Sequence, residues 1–98
     1  MSDINIYSKK EAHIEGCNSL IKTYKKLINE EKNKINAQMM NNASKKVVKE
    51  LIEEGYSKDI EFKDITDIPT SEWLIEGYEK KIKKIEEIRD NYKEDEES

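Results

Sequence analysis

Histidine and cysteine carry much of the acid–base, nucleophilic and metal chemistry of proteins, and this chain has one of each, His13 and Cys17. A general base needs a nucleophile and a group to orient it, and a metal needs further ligands. No cysteine or histidine pair has zinc-ligand spacing, and a lone cysteine cannot close an internal disulfide. His13 therefore reads as an exposed histidine on a helix surface, and Cys17 as a small apolar residue on a buried stripe. Gly16, Gly55 and Gly77 lie too far apart to form a phosphate-cradling loop. Glu53-Glu54 and Glu86-Glu87 read as solvated faces, not as a carboxylate pair in an apolar setting. The expectation is a protein without a catalytic, metal or cofactor site, and not an enzyme.

Two other groups of residues suggest binding. Lys22, Lys25, Lys26, Lys32 and Lys34 give the first half a basic side that could contact phosphates. Against that, the net charge is −4, Glu30 and Glu31 interrupt the patch, and Arg89 is the one arginine. Nucleic-acid binding is thus disfavoured and kept as an alternative. Trp73 follows the proline-ended connection, with Tyr56, Phe62 and Tyr78 near it in sequence. It reads either as a cap of the core against the connection or as an aromatic anchor for a protein partner. Trp73, Tyr78, Tyr56, Phe62 and Tyr24 form the candidate partner interface.

Helices must position these residues. Ser8 and Glu11 have capping-box spacing, and a heptad seam follows: Ile14, Ile21, Ile28 and Ile35 at one position, Cys17 and Tyr24 at the other. Leu20 and Leu27 widen this stripe. The pattern predicts a first helix over about 9–40. Glu31 and Gln38 fall in the same phase and read as the end of the packed region, with a buried ion pair or a polar specificity device as alternatives for Glu31. Val47, Val48, Leu51 and Ile52 cluster on nearly the opposite face, which predicts a break or sharp kink at Asn41-Asn42, with one continuous helix whose far end packs on a different neighbour as the alternative. Ser44 would then cap a short helix over 45–54, closed by Gly55. The alternations Ile4-Asn5-Ile6 and Ile60-Glu61-Phe62 allow a minimal two-stranded ribbon. Pro69 ends the connection, and Thr70 or Ser71 caps a last helix. There Ile75, Ile82 and Arg89 share one heptad position and Tyr78, Ile85 and Tyr92 the other, flanked by Leu74 and Ile88.

The bulk numbers fit that picture. Of the 98 residues, 41% are charged and 35% hydrophobic, below the usual globular apolar share. The expected architecture is mainly α: an antiparallel helical hairpin or small bundle in one domain over 1–93, with an acidic disordered tail at 94–98. The longest apolar run, Trp73-Leu74-Ile75, is far too short to cross a membrane. The first residues lack a secretory pattern, so a cytoplasmic location is expected. Tyr92-x-x-x-Glu96, together with the size, resembles the small helical substrates of type VII secretion. The Trp-x-Gly turn of that family is absent here, because Leu74 and Ile75 follow Trp73. A secreted helical protein is therefore an alternative. The primary expectation is a small regulatory or adaptor protein of bacterial or phage type, acting as inhibitor, immunity protein or chaperone. It would bind another protein and self-associate, because two narrow stripes make a thin core.

Overall fold

The computed structural model describes residues 6–56, 61–64 and 66–93. Two helices account for most of them: α1, Lys9–Glu53, and α2, Ile68–Asp90. They pack against each other as a hairpin, with no strand among the described residues. The proposed ribbon includes Ile4, Asn5 and Ile60, and the acidic tail comprises residues 94–98. Both lie outside the described residues in whole or in part.

α1 starts where the capping box places it. The Glu11 amide donates to Ser8 Oγ at 3.1 Å and the Ser8 amide to Glu11 Oε1 at 3.3 Å. The helix then runs unbroken for 45 residues, so the expected break at Asn41-Asn42 and the separate short helix are absent. No proline or glycine falls between Gly16 and Gly55. Once a helix is nucleated, each added residue costs little, and two asparagines cost only about half a kcal/mol apiece. The change of apolar face reflects a change of surroundings. Residues up to about Gln38 face α2 or its connection, whereas those beyond lie past the start of α2 and meet the connection through Asn41 and Lys45.

α1 stops at a Schellman turn: the Tyr56 amide donates to Leu51 O at 2.8 Å and the Gly55 amide to Ile52 O at 3.1 Å. Gly55 takes φ +81°, the left-handed conformation that glycine adopts without penalty. α2 begins earlier than the proline suggested. Asp67 is its N-cap residue and Pro69 sits in its first turn, where a missing amide hydrogen costs nothing. Thr70 and Ser71 are therefore inside the helix and do not cap it. Thr70 Oγ1 donates to Asp67 Oδ2 at 2.8 Å, and Ser71 is buried.

The seam centres on Ile21, Ile28 and Ile82, with Tyr24, Ile75, Tyr78 and Ile85 packed around them. Cys17 is buried on the same stripe, as expected. Leu20 and Ile88, expected to flank the seam, are 51% and 46% exposed. The molecule measures 76 × 37 × 15 Å, so it is a slab hardly thicker than one helix. Each helix buries one narrow face and shows the rest to solvent.

Candidate functional site

Polar residues close the seam at both ends. At the connection end, Glu31 Oε1 accepts from Ser71 Oγ at 3.0 Å, and Oε2 accepts from Lys34 Nζ at 2.9 Å. Ser71 Oγ also meets Thr66 Oγ1 at 3.2 Å. Two turns further along α1, Gln38 Oε1 accepts from the Thr66 amide at 3.2 Å, and Gln38 Nε2 donates to Asp64 Oδ1 and Asn42 Oδ1. Lys45 reaches Asp64 at 3.0 Å, and Asn41 Nδ2 donates to Lys63 O at 2.9 Å. The connection is thus tied along α1 by side chains. Lys34 beside Glu31, helped by Ser71, lowers the Glu31 pKa below the ordinary glutamate range. Lys45, then Gln38, does the same for Asp64.

Glu31 and Gln38 do not mark the end of the packed region. They are 7% and 4% exposed, among the most buried side chains of α1. The fold contains an ion pair with a lysine, the second reading of Glu31, but only the carboxylate is buried and the Lys34 side chain is 55% exposed. Sequence reasoning missed Ser71 because a serine after a proline also suits a helix cap. The signal was there in the two polar residues that keep the phase of the isoleucines.

At the other end, Arg89 Nη1 donates to Asn18 Oδ1 at 2.8 Å while Arg89 Nε bridges Asp90 at 3.0 Å. His13 is half-buried: its ring lies 4.5 Å from that of Tyr92, and Nε2 is 3.3 Å from Ile88 O. That carbonyl belongs to the last turn of α2, where helical carbonyls lack partners within the helix. The expected free-standing histidine is therefore a contact between the two helices. Cys17 Sγ is 3.8 Å from His13 Nε2, but nothing orients the pair toward a reacting group.

The candidate interface residues separate into two sets. Tyr24 and Tyr78 belong to the seam, their ring centroids 5.8 Å apart, with Lys81 Nζ 5.6 Å and 5.9 Å from the two rings. Phe62 is half-buried in the connection. Trp73 and Tyr56 are on the surface, 71% and 79% exposed, so Trp73 does not cap the core. Trp73 sits on α2 close to the level of Glu31, while Tyr56 lies past the end of α1, about 37 Å away along that helix. They cannot touch one compact epitope together.

A further exposed apolar surface lies on the distal part of α1. Met39, Met40, Val47 and Leu51 are 58%, 71%, 56% and 38% exposed. From the level of Ile68, α1 extends about 28 Å beyond the start of α2. The basic side is weaker than the sequence suggested: Lys34 is held by Glu31, and Glu79 shares a shallow groove with Lys25 and Lys32. A cleft of about 620 Å³ at the connection is lined by Gln38, Asn42, Asp64, Thr66, Asp67, Ile68 and Pro69. Among the described residues no group of three or more His, Cys, Asp or Glu side chains could hold a metal ion. Nor is any described helix long and apolar enough to cross a membrane. Tyr92 of the secretion-like spacing is engaged with His13, and Glu96 lies outside the described residues. Compared with protein-family models, with curated proteins and with solved structures, the chain matches none.

Proposed function

We propose that this protein is a small regulatory or adaptor protein that acts by binding other proteins, without chemistry of its own. The observation that carries this reading is Trp73, 71% exposed on a regular helix turn. A tryptophan held there presents a large, rigid apolar surface at low entropic cost, and such residues dominate the energetics of protein interfaces. Its helix is anchored from behind by the seam, so the side chain is displayed without being needed for folding. Regulation by inhibition, immunity or chaperoning fits a hairpin of this size, and so does a bacterial or phage origin.

The test uses partner capture from the native host with wild type and Trp73→Ala, followed by titration of the recovered partner. Trp73→Ala should leave the helical circular dichroism unchanged and weaken the partner at least tenfold. Equal binding by both proteins would sink the reading.

A further inference from the structure

The distal part of α1 carries an internal symmetry in its sequence. Residues 45–54 read Lys-Lys-Val-Val-Lys and then Glu-Leu-Ile-Glu-Glu. Run backwards, the second half matches the first position by position: an apolar residue opposite each valine and an acid opposite each lysine. This pattern is self-complementary for two antiparallel copies related by a two-fold axis between Lys49 and Glu50. Val47 and Val48 of one copy then lie level with Ile52 and Leu51 of the other. A parallel pairing would instead set the three lysines beside three lysines and the three glutamates beside three glutamates.

We propose that the distal part of α1 is a self-association surface whose occupant is a second copy of this chain, docked antiparallel. The proposal deepens the protein-binding reading by naming the partner at one of its two surfaces. Three observations support it. Val47 and Leu51 are 56% and 38% exposed, while Val48 and Ile52 of the same stripe are half-buried. By helical phase that stripe is centred nearly opposite the isoleucines of the seam, while the connection is held at Asn41 and Lys45 of the same segment. The antiparallel overlap also sends the two hairpins to opposite ends, where they do not collide.

The energetic roles divide between the two residue classes. The apolar residues supply the affinity, through area removed from water. The charges lie on the flanks and back of the stripe, and Lys45 is already engaged by Asp64 at 3.0 Å. They therefore act lengthwise, through the field of a basic half beside an acidic half, and set orientation more than strength. An overlap restricted to 45–54 is smaller than a standard interface, so dissociation in the micromolar range or weaker is expected. An isologous contact of this kind closes on itself and yields a dimer, not a filament.

The geometry gives a distinctive observable. From Lys9 to the two-fold axis, α1 spans about 60 Å, so the dimer is a rod of about 120 Å. The single chain is 76 Å long, and two hairpins packed side by side would stay near that length. The experiment is sedimentation equilibrium with small-angle scattering on the full chain, from about 1 μM to 1 mM. Wild type should pass from monomer to dimer with the longest dimension growing toward the rod value. Val47→Lys with Leu51→Lys should hold the protein monomeric with unchanged helicity, since neither side chain is part of the seam. Lys49→Glu should weaken the dimer in low salt, and adding Glu50→Lys should restore it. A monomer throughout the range, a dimer indifferent to the two lysine substitutions, or a dimer of monomer length would each overturn the proposal. If self-association is absent but Trp73-dependent capture of another protein persists, only this inference falls.

Discussion

Ser71 and Glu31 show what a single buried polar pair does in so thin a core. Ser71 is 1% exposed, and its hydroxyl donates to a carboxylate that also holds Lys34. Ser71→Ala removes a hydrogen bond to a charged group and leaves that carboxylate less well satisfied. Urea denaturation at neutral pH should show a loss of about 1–2 kcal/mol, large for a domain of this size. Acid should act on the same residue by a different route. Glu31 titrates lower in the folded chain than its ordinary value of 4.5, so the unfolded chain binds more protons between those two values. The stability it contributes is complete above about that pH and is lost as the pH falls through the lowered value. Asp64 adds a parallel loss below its ordinary value of 3.8. Urea denaturation followed by circular dichroism at decreasing pH should therefore show the hairpin losing stability below about pH 4.5, and Glu31→Gln should flatten the upper part of that decline. An unchanged profile in Glu31→Gln would show that the carboxylate plays no such part.

The two helices could slide on each other at the scale of the element. Isoleucines recur every seven residues at 14, 21, 28 and 35 on α1 and at 75 and 82 on α2. A shift by one heptad would again put isoleucine on isoleucine. What distinguishes the observed register is polar: Glu31 meets Ser71, Gln38 meets Thr66, and Asn18 meets Arg89. Polar groups in an otherwise apolar seam are a known means of specifying register at some cost in stability. Glu31→Leu combined with Gln38→Leu should keep the helix content and give doubled or broadened amide resonances along α2. A single sharp set of peaks would show that the connection alone fixes the register. Much of this element-scale structure was legible in the sequence. The capping box, both seams and the glycine stop are local signals, and each occurs in the fold. The continuity of α1 was legible only as the alternative to a break, because a shift of apolar phase suggests a break only if every apolar stripe must be buried within the same chain. Ser71 was misread for a related reason, since its partner lies forty residues away.

At the scale of the whole molecule, a slab 15 Å thick has almost no interior, and four apolar residues are buried among the described ones. The low apolar fraction expressed this in advance, though composition could not say where the deficit lies. It lies on the outer face of α2, around Trp73, and on the distal stripe of α1. The candidate interface was only partly legible, since tyrosine in a seam and tryptophan on a surface are alike in sequence. Association through the distal stripe binds the folded chain alone, so it must raise apparent stability by mass action. The thermal midpoint of wild type should climb with protein concentration, and that of Val47→Lys with Leu51→Lys should stay flat. A flat midpoint in both would argue that the hairpin is stable as it stands.

The unbroken passage of α1 through Asn41-Asn42 has one more consequence. Beginning a helix is the unfavourable step, and extending one is nearly neutral. Residues 39–53, cut away from the rest, would have to nucleate alone and would be mostly coil in water. Attached to α1, they inherit a nucleus already formed by the packed turns between Cys17 and Gln38. The hairpin thus serves as a template for a segment tied to the connection through Asn41 and Lys45. Loosening at Ile28 should therefore be felt as fraying near Leu51, and a ligand that orders Leu51 should tighten the turns at Ile28.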